Sequence, residues 1–269
     1  KSTLIALLAD ATRDKIRIRA MAIFGIGVGS AFLLALVIGP IIAGKTGVRS
    51  LFWLAAIFSA ISALLLIFLP IRVPNNIVKE KFNLKLAFNI SLIRLDLYIF
   101  ILHAVLTATF VAVPLSIRNS LDIEINDHWF LYFGAIIISL IGTVPLIIAD
   151  ERKGKQEHVF LAIIFIFVGQ IILATSFSSG TSVLMALAFF FAGFNFLEAV
   201  LPAKLSQLAP IKIRGAALGV FSSSQFLGAF FGGIFAGYFI DSDAPDTIFV
   251  IISSIILLWL IFHYYFNQD

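Results

Sequence analysis

Glu198 is the residue most at odds with its surroundings. It lies in an apolar stretch, six residues before Lys204, which is about 9 Å along a helix. An acid at mid-helix in a bilayer costs roughly 2.5–3.5 kcal/mol on insertion scales, so something has to compensate for it. Asn195, Glu198 and Pro202 fall at i, i+3 and i+7, on one helical face. A second set, Asp96, His103 and Thr107, is spaced by seven and four, with His103 about 13 Å from Arg94 along a helix. A buried carboxylate, or an imidazole titrating near neutrality, can take a proton from one side of a membrane and release it to the other. Glu198, His103 and Asp96 are therefore the candidate proton-coupling groups. The alternative for Glu198 is a hydrogen-bonded structural role, capping a helix broken near Pro202. The run Ser222-Ser223-Ser224-Gln225 either lines a polar cavity or bonds back to its own helix carbonyls. The cavity is the favoured reading, and it makes Asn195, Thr107, Ser223 and Gln225 candidates for substrate contact.

Other chemistry finds no support. His103, His128, His158 and His263 are scattered without metal-ligand spacing, so no metal is expected. Gly39 to Thr46 spells the Gly-x4-Gly-Lys-Thr letters of a phosphate loop, but it closes an apolar span and is not a turn between a strand and a helix, so no phosphate-cradling loop is expected. Gly25, Gly27 and Gly29 have the alternation of a dinucleotide loop but lie inside an apolar span. The absence of cysteine excludes disulfides and thiol chemistry. Neither an enzyme nor a cofactor is expected.

The elements that would hold these residues are membrane helices. Hydrophobic residues make up 61% of the chain and charged residues 13%, with a mean hydropathy of +1.07, outside the range of soluble domains. Windows of about 20 apolar residues place spans near 20–43, 50–69, 95–117, 129–149, 158–177, 181–204, 215–240 and 248–266. Residues 1–9 supply the last half of another, and the chain reads as a fragment. Segments 10–20, 71–94, 150–158 and 203–214 hold 15 of the 19 lysines and arginines, whereas the opposite set of loops holds three. Positive charge marks the first set, and with it the C-terminus, as cytoplasmic. The net charge of +4 is thus a topological signature, and no nucleic-acid partner is expected.

A repeat runs through this frame. Arg17 and Arg19 precede Gly39-Pro40-Ile41-Ile42-Ala43-Gly44, and Lys212 and Arg214 precede Gly232-Gly233-Ile234-Phe235-Ala236-Gly237. The arginine-to-glycine spacings of 22 and 18 differ by about one helical turn, which preserves the helix face. Parallel repeats of this kind mark the two halves of some transporters. The longer connection 71–94 mixes Lys79, Lys81 and Lys85 with Phe82, Leu84, Leu86 and Phe88. It divides the chain into 1–70, a cytoplasmic linker 71–94, and a six-helix unit 95–269.

The segment from Phe189 through Asn195, Glu198 and Pro202, followed by Ala209-Pro210 and Gly219–Gly228, resembles spans ten and eleven of a major facilitator superfamily transporter. It is most similar to the YajR-like branch of bacterial proton-linked efflux proteins, a resemblance that extends back through Leu8–Arg13 and Arg19–Ala22. The resemblance implies an all-α polytopic bundle with about eight full spans, five to twelve, plus part of span four.

It also assigns two motifs. Gly39, Pro40 and Gly44 resemble the antiporter motif of drug exporters, with Ala35 where another glycine is usual; in the family this seam holds the outward end closed. Its small residues allow close helix approach, although an ordinary packing seam is the alternative. Glu151, Arg152, Gly154 and Lys155 resemble the cytoplasmic loop motif Asp-Arg-x-Gly-Arg-Arg, with Glu151 in place of Asp and Ile147 where the upstream glycine is expected. That motif latches neighbouring helices in the outward-facing state, while a merely basic inner loop is the alternative. Spans seven, eight, ten and eleven are expected to line the cavity.

The reading reached is a proton-coupled exporter of small amphipathic molecules, a monomer in the bacterial inner membrane whose partners are substrate, protons and lipid. A proton-coupled importer, a non-transporting scaffold or sensor, and a non-functional fragment are the alternatives.

Overall fold

The structure, a computed structural model, describes residues 8, 12, 14–68, 89–121, 123, 127–153, 156–210, 213–240 and 246–266. Eight long helices run in order through these residues: α1 Asp14–Thr46, α2 Arg49–Phe68, α3 Ile90–Leu121, α4 Trp129–Lys153, α5 Gln156–Thr175, α6 Gly180–Leu208, α7 Arg214–Ile240 and α8 Asp246–Phe266. No strand occurs among the described residues. Seven of these helices, α2 to α8, are long and apolar enough to cross a membrane. α1, at 33 residues, spans about 50 Å. The chain is a multi-pass all-α membrane protein.

Every span expected from hydropathy is a helix, and most reach further toward the basic loops than the apolar windows do. α1 begins at Asp14 and α3 at Ile90, so residues 90–94 of the expected linker are helical; linker positions 69–88 lie outside the described residues. α1 turns into α2 through Gly47 (φ +82°), whose N–H reaches Ala43 O at 2.9 Å. This left-handed position favours glycine. α6 starts at Ser179, whose hydroxyl accepts from the Ser182 N–H. Pro114, Pro145 and Pro202 all sit inside continuous helices, so Glu198 does not cap a break near Pro202.

α6 is the centre of the bundle, packed by α5 and α4 and also touching α1, α3 and α7. Phe190, Phe196, Leu197, Val200 and Leu201 on it are fully buried. Helix α2 is the opposite case, touching α1 and burying no residue. In lipid, apolar area gives little preference for another helix over an acyl chain, so close packing depends on small residues. Gly228 and Gly232 let α7 rest on the carbonyls of Phe100 and Ala104 in α3, where a Cβ would collide. Gly193 of α6 sits against the Ala162 carbonyl of α5, and Gly169 of α5 against Ala186 of α6. Polar ties supplement these seams: Gln170 Nε2 donates to Thr109 Oγ1 at 2.8 Å, and Thr143 Oγ1 donates to Ala192 O at 3.2 Å.

Candidate proton and substrate site

Three helices contribute one polar group each to a single point in the bundle. His103 lies midway along α3, Glu198 on α6 and Gln225 on α7, three turns into that helix. Gln225 Nε2 lies 2.6 Å from His103 Nε2 and donates to Glu198 Oε1 at 3.1 Å. His103 Nε2 and Glu198 Oε2 are 3.6 Å apart, an ion pair whenever the imidazole is protonated. The other ring nitrogen, Nδ1, is 3.2 Å from Ile99 O, one turn back on α3. Phe194 packs its ring 5.7 Å from the imidazole. The side chains of His103 and Glu198 are 11% and 18% exposed, so the pair is screened from bulk water yet still reachable. This is how the acid in α6 is compensated: by an amide donor and an imidazole from neighbouring helices.

His103, Asn195 and Glu198 form one wall of a cavity of about 410 Å³ between α1, α3, α4 and α6. Its remaining lining is mainly apolar, including Leu106, Ile136, Leu140, Phe191 and Phe194, with Ser30 and Thr143 as further polar groups. Gly25 and Gly29 face it from α1, and neither has an atom of a described residue within 4 Å of where a Cβ would be. The volume and lining suit a small organic molecule with an apolar body, with one carboxylate and a few hydrogen-bonding groups to orient it.

A sequence profile of the Major Facilitator Superfamily matches residues 2–196 and, in a second overlapping match, 95–269. The chain belongs to the major facilitator superfamily. It is 33% identical to the inner membrane transport protein YajR of Escherichia coli K12, over 96% of this chain and 58% of that protein. Uncharacterized transporters of Buchnera aphidicola are similar too. One, from the subspecies of Acyrthosiphon pisum, is 32% identical over 85% of this chain and 60% of its own length. Another, from that of Schizaphis graminum, is 31% identical over 97% of this chain and 68% of its own length. The chain thus spans about three-fifths of the first two of these relatives.

Within this superfamily member the other expected site residues divide. Asn195 lines the cavity, and Gln225 stands behind it holding His103 and Glu198. Ser223 does not: it is exposed, and its hydroxyl donates to Gly219 O at 3.1 Å, the local bond always open to a serine in a helix. Thr107 faces α7 instead, its Cγ2 lying 3.6 Å from the Cβ position of Gly233. Asp96 is buried two turns before His103 on α3 and outside the cavity lining. Span eleven, α7, was expected in the cavity wall, but α1 takes that place because α7 is drawn against α3 by its glycines.

The two motifs also find their positions. No described atom comes within 4 Å of a Cβ built at Gly39 or Gly44, and the helix continues unbroken through residue 40. Glu151 and Arg152 lie in the last turn of α4 rather than in a loop, and Glu151 pairs with Arg19 of α1 at 3.1 Å. Gly154 and Lys155 lie outside the described residues. Next to Glu151, Asp150 is fully buried, with His158 Nδ1 at 3.0 Å and Lys204 Nζ at 4.0 Å.

Composition could not single out Gly25, Gly29 or Ser30 as cavity residues. The i, i+4 spacing of the two glycines was the available signal, and it read equally well as helix packing. Asp150 carries no sequence signal of its own, because it adjoins the charged end of α4 and its partners His158 and Lys204 come from other helices.

Proposed function

We propose that this chain carries the coupling and substrate machinery of a proton-coupled exporter, which moves small amphipathic molecules by alternating access. The observation that carries this reading is the His103–Gln225–Glu198 cluster opening onto a mainly apolar cavity. An ionisable pair inside a bilayer is costly to keep and marks a proton or substrate path by default. Here it shares a wall with the space a substrate would fill, so proton and substrate compete for Glu198. A cationic substrate approaching the carboxylate favours loss of the proton, and a returning proton favours release of the cation. Phe191 and Phe194 suit the apolar body of such a cation.

Rocking of residues 14–68 against 89–266 would open the cavity first to one side and then to the other. Export rather than import is supported by the resemblance of Gly39, Pro40 and Gly44 to the antiporter motif. The protein would act as a monomer in the bacterial inner membrane, with its tail in the cytoplasm; the relative YajR is named an inner membrane transport protein.

The test is proton movement in everted vesicles containing the complete protein, on addition of tetraphenylphosphonium and related lipophilic cations. Cation-triggered proton release that disappears in Glu198→Gln is the expected result. Proton-driven movement of the cation in the opposite direction would make the protein an importer. No proton movement in either protein would remove the coupled-transport reading and leave a scaffold or sensor.

A further inference from the structure

We infer that Gln225 is a positioning residue through which helix α7 responds to the protonation of the His103–Glu198 pair. The inference rests on the proposed reading of that pair as the proton site. The Gln225 amide nitrogen carries two hydrogens and faces two acceptors, His103 Nε2 at 2.6 Å and Glu198 Oε1 at 3.1 Å. For both bonds to exist, Nε2 must be the bare nitrogen of a neutral imidazole. Its proton then sits on Nδ1, which faces the Ile99 carbonyl at 3.2 Å. The arrangement is therefore that of a neutral imidazole, with its tautomer set from both sides of the ring.

A proton arriving at His103 Nε2 forms an N–H bond that points straight at the N–H of the amide, and two donors cannot share 2.6 Å. The amide relieves this by turning over so that its oxygen accepts from the imidazolium. In doing so it gives up the bond to Glu198, whose carboxylate is already 3.6 Å from the new cation. A proton arriving at Glu198 Oε1 instead turns that oxygen into a donor and breaks the same bond to the amide N–H from the other side. Either way, Gln225 holds different partners in the loaded and empty states.

Among the described residues no other ionisable group lines this cavity. On α3 the nearest such group is Asp96, two turns toward the basic end. On α6 it is Lys204, which approaches Asp150 of α4, and on α7 it is Arg214 at the helix start. Among the described residues α1 brings Val28, Ser30 and two glycines, and the polar group from α4 is Thr143. The amide is thus the group that carries a change at the pair into α7, whose next turn holds Gly228 against Phe100.

The experiment is nitrogen NMR of the complete protein in lipid nanodiscs with labelled histidine, the His103 signals being assigned by their loss in His103→Asn. In the wild type, neutral His103 is expected as the Nδ1–H tautomer. Gln225→Met keeps the side-chain length without the amide, and is expected to release the tautomer into a mixture. Gln225→Glu keeps the shape but faces Nε2 with a carboxylate, and is expected to move the His103 midpoint to higher pH by about one unit or more. Should the Met variant fail to fold, the Glu variant alone decides.

If His103 shows the same tautomer and midpoint in all three proteins, or does not titrate in any, the inference is overturned. Failure of the transport reading shows separately: wild-type vesicles would move no protons while the His103 titration still responds to residue 225.

Discussion

Arg19 and Glu151 stand 132 residues apart in the chain and 3.1 Å apart in space. The pair joins the start of α1 to the end of α4, at the end of the bundle richest in lysine and arginine. Arg19 is 67% exposed, and such surface pairs add only about 0–1 kcal/mol to stability. An energy that small scarcely affects folding, yet it can bias two arrangements of helices that differ by a few kcal/mol.

Breaking this pair should therefore change access and leave the fold intact. The stretch has no cysteine, so Ser30→Cys places a single thiol in the cavity wall. With Glu151→Arg added, labelling of that thiol from the basic side should quicken several-fold, and the further change Arg19→Glu should restore the original rate. Equal rates in all three proteins would show that the pair does not gate the cavity.

Removing either member of the ionisable pair should cost coupling rather than structure. Glu198→Gln and His103→Asn are each expected to lower cation-triggered proton release about tenfold or more, a barrier of about 1.4 kcal/mol. If the two side chains act on one proton, as proposed, the double variant should be scarcely worse than the poorer single one. Strictly additive losses would mean that they serve separate steps.

The glycines of α7 should divide by what they touch. Gly228→Ala pushes a methyl group into the Phe100 carbonyl and is expected to cost about 1–3 kcal/mol, as overpacking does. Gly237→Ala meets no described residue within 4 Å and should stabilise the helix by about 0.5–1 kcal/mol. Thermal unfolding in detergent reads both, and equal shifts would remove the close α3–α7 approach as a stabilising feature.

Cavity size should depend on α1. Gly29→Val adds an isopropyl group to a space of about 410 Å³ and is expected to weaken tetraphenylphosphonium binding about tenfold, or about 1.4 kcal/mol. Binding of the much smaller tetraethylammonium should be nearly unchanged. Equal losses for both cations would place the binding site elsewhere.

The helices themselves were legible because a bilayer leaves few options. Twenty apolar residues must satisfy their own backbone, and each apolar window proved to be a helix. Glu198, His103 and Gln225 were legible as intramembrane polar groups, since each is expensive where it stands. Their convergence was not, because α7 is seated on α3 by Gly228 and Gly232, residues that announce close packing without naming the partner. Ser223 misled for a related reason. A serine in an apolar helix satisfies itself one turn back at little cost, so the hydroxyl alone says nothing of a cavity. Thr107 carried the right period but lay on the side of α3 that α7 covers.

Gly228 and Gly232 lie one turn apart on α7, and the carbonyls beneath them, Phe100 and Ala104, lie one turn apart on α3. Two helices seated at that distance cannot slide or roll past each other without driving backbone into backbone. α3 and α7 therefore make one keyed pair, with His103 on one helix and Gln225 on the other, so that a displacement of either helix is shared by both.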